Sequence, residues 1–213
     1  MYPIILRSEG NKQGYSLEEF DRAFISICQS HRESGRALAF AFILFDYTHP
    51  EVRKVLEDQA YWDALDHISG VYLTVFSFHL KSRLKRRTNP RKSNHGSNHD
   101  PGLEDPNRFV DSRFGIKLPR SRPLLLFFQV RDHKISRRFI YELKADSVEI
   151  AFSEIRDALV DAVESVEHVL PEYRNNTEEI FREMENSLSQ RKLLRKLSGI
   201  MKTVRHLKDW LGK

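Results

Sequence analysis

Residues 37–46, Ala-Leu-Ala-Phe-Ala-Phe-Ile-Leu-Phe-Asp, hold one polar side chain, and it comes last. The run is too short for a bilayer span, which takes about 20 apolar residues. It also lacks the alternation of a strand with one wet face. It reads as a strand covered on both sides, the kind found inside a parallel sheet with helices above and below it. Residues 71–80 (Val-Tyr-Leu-Thr-Val-Phe-Ser-Phe-His-Leu) and 124–130 (Leu-Leu-Leu-Phe-Phe-Gln-Val) read in the same way. A chain with three such strands must find enough helix to cover both faces of one sheet.

The segments between them supply it. Ser16 and Glu19 have capping-box spacing, and Leu17, Phe20, Phe24, Ile27 and Cys28 follow on one helical face until Ser34-Gly35. Thr48 and Glu51 have the same spacing, with Pro50 in the first turn. Val52, Val55, Leu56, Trp62 and Leu65 give that helix an apolar face up to Gly70. Asp146 with Glu149 predicts a helix through Val148, Phe152, Ile155, Leu159, Val163 and Val166. Asn176 with Glu179 opens a last helix that reaches about Leu211. Pro3-Ile4-Ile5-Leu6 is a short edge strand, and residues 137–143 form a hairpin partner to 124–130 across Asp132-His133-Lys134. The expected order is β, α, β, α, β, a gap, β, β, α and a further helix. The fold class is therefore α/β, a mixed sheet flanked by helices.

The gap is residues 81–107. Lys81, Arg83, Lys85, Arg86, Arg87, Arg91 and Lys92 crowd together ahead of Ser93-Asn94-His95-Gly96-Ser97-Asn98-His99. So little apolar area cannot offset the entropy of ordering, which predicts a mobile basic insertion. The whole chain carries 35 Lys and Arg against 30 Asp and Glu, a formal charge of +5. That balance permits an anionic partner without requiring one. With 40% hydrophobic and 31% charged residues, the composition is that of a soluble globular protein. The first residues, Met1-Tyr2-Pro3-Ile4-Ile5-Leu6-Arg7, lack the apolar stretch of a signal peptide, and one cysteine excludes an internal disulfide. The expected location is the cytoplasm.

Two passages resemble the thioredoxin-like superfamily. Tyr47-Thr48-His49-Pro50-Glu51 stands after a buried strand, where that family places an aromatic residue and Cys-x-x-Cys. Phe114-Gly115-Ile116 and then Pro123 before 124–128 are similar to its aromatic-Gly-Ile passage and strand-leading cis-proline, and whether Pro119 or Pro123 would hold the cis bond stays open, since the two isomers look alike in sequence. The resemblance covers about residues 3–168 and implies a thioredoxin-like domain over 1–170, with 171–213 as a C-terminal helical extension. It does not extend to the chemistry. Thr48 and Glu51 stand in place of the cysteines, and neither can attack a disulfide sulfur. Cys28 falls on the apolar face of the first helix, where a thiol behaves as a small hydrophobe.

The candidate sites follow. Tyr47, Thr48, His49, Pro50 and Glu51, with Pro123, form the corner where a partner peptide would sit, although capping alone accounts for Thr48 and Glu51. Arg83, Lys85, Arg86 and Arg87 are candidate anion contacts, but no aromatics interleave them to stack on bases. His95, His99 and Asp100 lack the fourth, anchored ligand of a zinc site, so no metal is expected. No nucleophile elbow or phosphate-binding glycine loop is present, and the sequence calls for no cofactor.

In the last helix Leu193, Leu197, Ile200, Val204, Leu207 and Leu211 recur in steps of four and three, the spacing of a coiled-coil seam, and Leu194 and Met201 widen it. Arg191, Lys192, Arg195, Lys196, Lys202, Arg205 and Lys208 surround the seam, with Asp209 the one acid. Periodicity reveals an apolar face but not what covers it. The protein's own domain, a protein partner or second copy, and an anionic membrane touched by a helix bearing Trp210 all remain open. The functional expectation is a redox-inactive, non-catalytic protein that binds protein or forms an oligomer. The alternatives are nucleic-acid association through the basic loop and helix, and an enzyme centred on Glu51 and His49.

Overall fold

The computed structural model describes residues 1–6, 14–35, 37–45, 49–80, 106–116, 122–169 and 176–211; in the last helix its side chains are described as far as Leu197, Arg195 and Lys196 excepted. Residues 81–105 of the expected basic insertion, and with them Arg83, Lys85, Arg86, Arg87, His95, His99 and Asp100, lie outside those residues, as do Tyr47 and Thr48, whereas Pro106 and Asn107, expected in the insertion, begin a helix.

Among the described residues five strands form one sheet: β1 (Tyr2–Leu6), β2 (Ala39–Leu44), β3 (Leu73–Leu80), β4 (Leu124–Arg131) and β5 (Lys134–Glu142). Their spatial order is β1-β3-β2-β4-β5. β1 and β2 both run parallel to β3, whereas β4 runs antiparallel to β2 and β5 antiparallel to β4. The helices are α1 (Leu17–Glu33), α2 (Pro50–Glu57), α3 (Gln59–Ser69), α4 (Pro106–Phe114), α5 (Val148–Glu167) and α6 (Thr177–Leu211).

The path from β1 to β2 crosses β3 in one direction, and the path from β2 to β3 returns. Two crossovers of one hand that move in opposite directions must pass over opposite faces. Accordingly α1 covers one face, and α2 and α3 cover the other. Along β2 the side chains divide in the same way, with Phe40, Phe42 and Leu44 to the first face and Ala39, Ala41 and Ile43 to the second. The first face is aromatic, with nine phenylalanines in its core, among them Phe20 and Phe24 of α1, Phe42, Phe76, and Phe109 and Phe114 of α4. The second is aliphatic and small. Ala39 and Ala41 of the sheet share its core with Ala151, Ala158 and Ala162 of α5, and such side chains let a helix lie close to the strands. Ile180, Phe181, Met184 and Leu188 of α6 belong to that same core, so the first half of the expected extension is packed into the sheet domain.

The α1 capping box forms as expected, Glu19 N–H donating to Ser16 Oγ at 3.1 Å and Ser16 N–H to Glu19 Oε2 at 2.9 Å. The next helix departs from expectation twice. His49 rather than Thr48 is its N-cap, and the His49 side chain makes no capping hydrogen bond. Pro50 begins the helix, which puts Glu51 at the second position and Val52 at the third, so the carboxylate is one residue short of a capping box. The helix also ends at Glu57. Asp58 has extended backbone (φ −84°, ψ 121°), and its carboxylate accepts from Ala60 N–H at 2.9 Å and Tyr61 N–H at 3.3 Å, starting a separate α3. At α5 the cap is Ser147, which accepts from Ile150 N–H, rather than Asp146. Asn176 Oδ1 accepts from the N–H groups of Glu178 and Glu179, as expected for α6.

The hairpin turn puts Asp132 (φ 49°) and His133 (φ 61°) in the left-handed region, which suits a two-residue loop between twisted strands. The peptide bond before Pro123 is trans, since no cis bond occurs among the described residues. Pro119, the other candidate for the cis bond that the resemblance implies, lies outside the described residues.

Candidate functional site

Leu44, the last residue of β2, pairs with Leu124, the first of β4. The segment after β2 and Pro123 therefore share one end of the sheet, at the carboxyl ends of the parallel strands, where open α/β sheets place their ligands. Of the expected corner, His49 and Glu51 are half-buried, Pro50 is exposed, and Pro123 is buried with its carbonyl accepting from Leu143 N–H at 2.9 Å. Cys28 is wholly buried on α1 facing the aromatic core, as expected, and burial pushes its thiol well above the ordinary range.

A pair that the sequence reading missed lies near the carboxyl end of β3. Ser77 Oγ and His79 Nε2 are 2.7 Å apart, on the same strand face, and the Trp62 and His79 rings stand edge to face with their centres 5.1 Å apart. Burial lowers the His79 pKa, and Glu57 acts against that shift. Spacing of two along a strand was the available signal, since it puts both side chains on one face. The pair resembles a nucleophile with its base, but Ser77 is wholly buried and no substrate carbonyl can reach its hydroxyl.

At the opposite end of the sheet a cavity of about 220 Å³ lies among Cys28, Arg32, Glu33, Phe40, Val130 and Arg131. Its chemistry is already committed. Arg32 donates to Val130 O at 2.7 Å, to Leu38 O at 3.3 Å and to Gln129 Oε1, while Arg131 pairs with Asp132 at 3.4 Å. Among the described residues no group of His, Cys, Asp and Glu could hold a metal ion. No described helix is long and apolar enough to cross a membrane.

The remaining candidate is α6. Its first half packs against α5, β4, β5 and β2. Arg137 of β5 reaches Glu178 at 3.2 Å and Glu185 at 3.1 Å, with its guanidinium 5.5 Å from the centre of the Phe181 ring. Arg191 pairs with Asp161 and lies 3.6 Å from Asp157, both on α5. Beyond Arg191 the apolar residues change sides. Leu193, Leu194 and Leu197 are 61%, 66% and 47% exposed. At 3.6 residues per turn their mean direction lies about 150° from that of Ile180, Phe181, Met184 and Leu188. The leucines thus face away from the body on the same helix that the body holds by its other side. Of the other expected seam residues, Ile200, Val204, Leu207 and Leu211 lie on the helix, with their side chains outside the described set.

Comparison of the chain with protein families, with characterised proteins and with solved structures finds no significant match.

Proposed function

We propose that the chain is a thioredoxin-like protein without thiol chemistry, and that it works by binding another protein through the distal half of α6. The first part is supported by the order of elements and by a parallel trio of strands extended by an antiparallel pair. Thr48 and Glu51 in place of the two cysteines set it apart from the redox members of that group.

The observation that carries the second part is the exposure of Leu193, Leu194 and Leu197 on the side of α6 remote from its own core. An amphipathic helix held rigidly by one half cannot turn its other half inward without breaking its backbone hydrogen bonds. Apolar side chains kept in water at helical spacing mark a surface that another molecule covers. The corner around His49, Glu51 and Pro123 is a second candidate surface on the same scaffold.

The test is affinity purification from the cells that make the protein, using the full chain, a chain ending at Arg191, and Leu193→Glu/Leu197→Glu. The proposal predicts a protein retained by the full chain and lost from both variants, each of which stays folded by circular dichroism. Identical retention by all three chains would refute it.

A further inference from the structure

We propose that the partner is an acidic helical segment: one whose apolar residues repeat at heptad spacing and are flanked by Asp or Glu. This rests on the protein-binding reading and adds the partner's chemistry. Leu193, Leu197, Ile200, Val204, Leu207 and Leu211 recur in alternating steps of four and three, the heptad spacing that keeps a stripe aligned with another helix over several turns.

The charge decides which helix. Residues 191–211 contain seven Lys and Arg and a single acid, Asp209. Arg191 already has its carboxylates on α5, in Asp157 and Asp161. The positions that flank the seam are Leu194, Lys196, Met201, Thr203, Lys208 and Trp210, with no carboxylate among them. A second copy of this helix would bring the same cations and no counter-charge. A helix with Glu or Asp at its own flanking positions would meet Lys196 and Lys208 with opposite charge, the device that selects partners in paired helices. Lipid fits less well. A lipid surface calls for an apolar face but for no heptad spacing, whereas a second helix calls for both.

The experiment titrates the full chain against two labelled synthetic peptides that share one Leu/Ile heptad seam, the first with Glu and the second with Lys at every flanking position. Light scattering of the chain alone and flotation with phosphatidylcholine vesicles containing phosphatidylserine run beside it. The proposal predicts binding of the Glu peptide about a hundredfold tighter than the Lys peptide, an affinity that falls with added salt, and loss of binding in Leu197→Glu and in Leu193→Gln. Both positions are exposed, so circular dichroism should report unchanged folding. Equal affinity for the two peptides overturns the acidic partner and leaves the protein-binding reading standing. So does self-association of the chain that Leu197→Glu abolishes. Capture by vesicles with neither peptide bound overturns both.

Discussion

Arg32 shows what a charge does when it is placed for structure. It sits at the end of α1, partly out of water, and spends its donors on the carbonyls of Val130 and Leu38 and on Gln129, which in turn donates to Leu38 O at 2.7 Å. These bonds join the carboxyl end of β4 to the entry of β2. Removing the guanidinium strands buried acceptors, so Arg32→Ala should cost about 1–3 kcal/mol in urea unfolding. Arg22 pairs with Glu18 in the open, and Arg22→Ala should stay within about 0.5 kcal/mol of the parent. Equal losses would mean that the Arg32 contacts do not bind the strands together. His79 gives a pH dependence. Burial keeps its native imidazole neutral below the ordinary pKa, while the unfolded chain protonates it near pH 6.5. The unfolded state therefore takes up more protons as pH falls below that value, and stability drops. Unfolding free energies at pH 7 and pH 5.5 should differ more for the parent than for His79→Gln. Parallel behaviour would remove His79 from the account.

At the scale of elements, the α2–α3 break rests on one side chain. Asp58 satisfies two orphan N–H groups at the start of α3, and Asp58→Ala should cost about 1 kcal/mol, read as a shift in the urea midpoint. No shift would mean that packing of Leu65 and Trp62 alone sets the break. The same residue marks where the sequence was hard to read. Val52, Val55, Leu56 and Leu65 all turn inward, so the apolar face was legible, but a short polar residue inside a helical pattern looks the same whether it lies mid-helix or caps a new one. The strands were easier. Runs apolar on both sides admit few other structures: β2 and β3 lie inside the segments that the pattern marks, and β4 runs one residue beyond its own, to Arg131. α4 escaped because one short helix offers a single apolar side, Phe109, Val110 and Phe114, after a long polar stretch.

For the whole molecule, the division of α6 is the feature that periodicity alone could not reveal. The seam beyond Arg191 stood out in the sequence, but its direction depends on which side of the helix the sheet domain holds. Ile180, Phe181, Met184 and Leu188 settle that side only once they are seen in the core with α5. Leu44 pairs with Leu124, which brings the end of β2 to Pro123; the sequence marks both strands, but apolar runs alone do not say that they are neighbours.

The central claim is that one helix serves the core with one half and presents its apolar residues outward with the other. Thermal unfolding of Leu193→Gln/Leu194→Gln/Leu197→Gln beside Met184→Ala tests it most directly. The account predicts that the triple variant melts within about 2 °C of the parent, whereas Met184→Ala loses about 2–5 kcal/mol and melts well below it. A triple variant that falls as far as Met184→Ala would show that the three leucines are core residues and contradict the account.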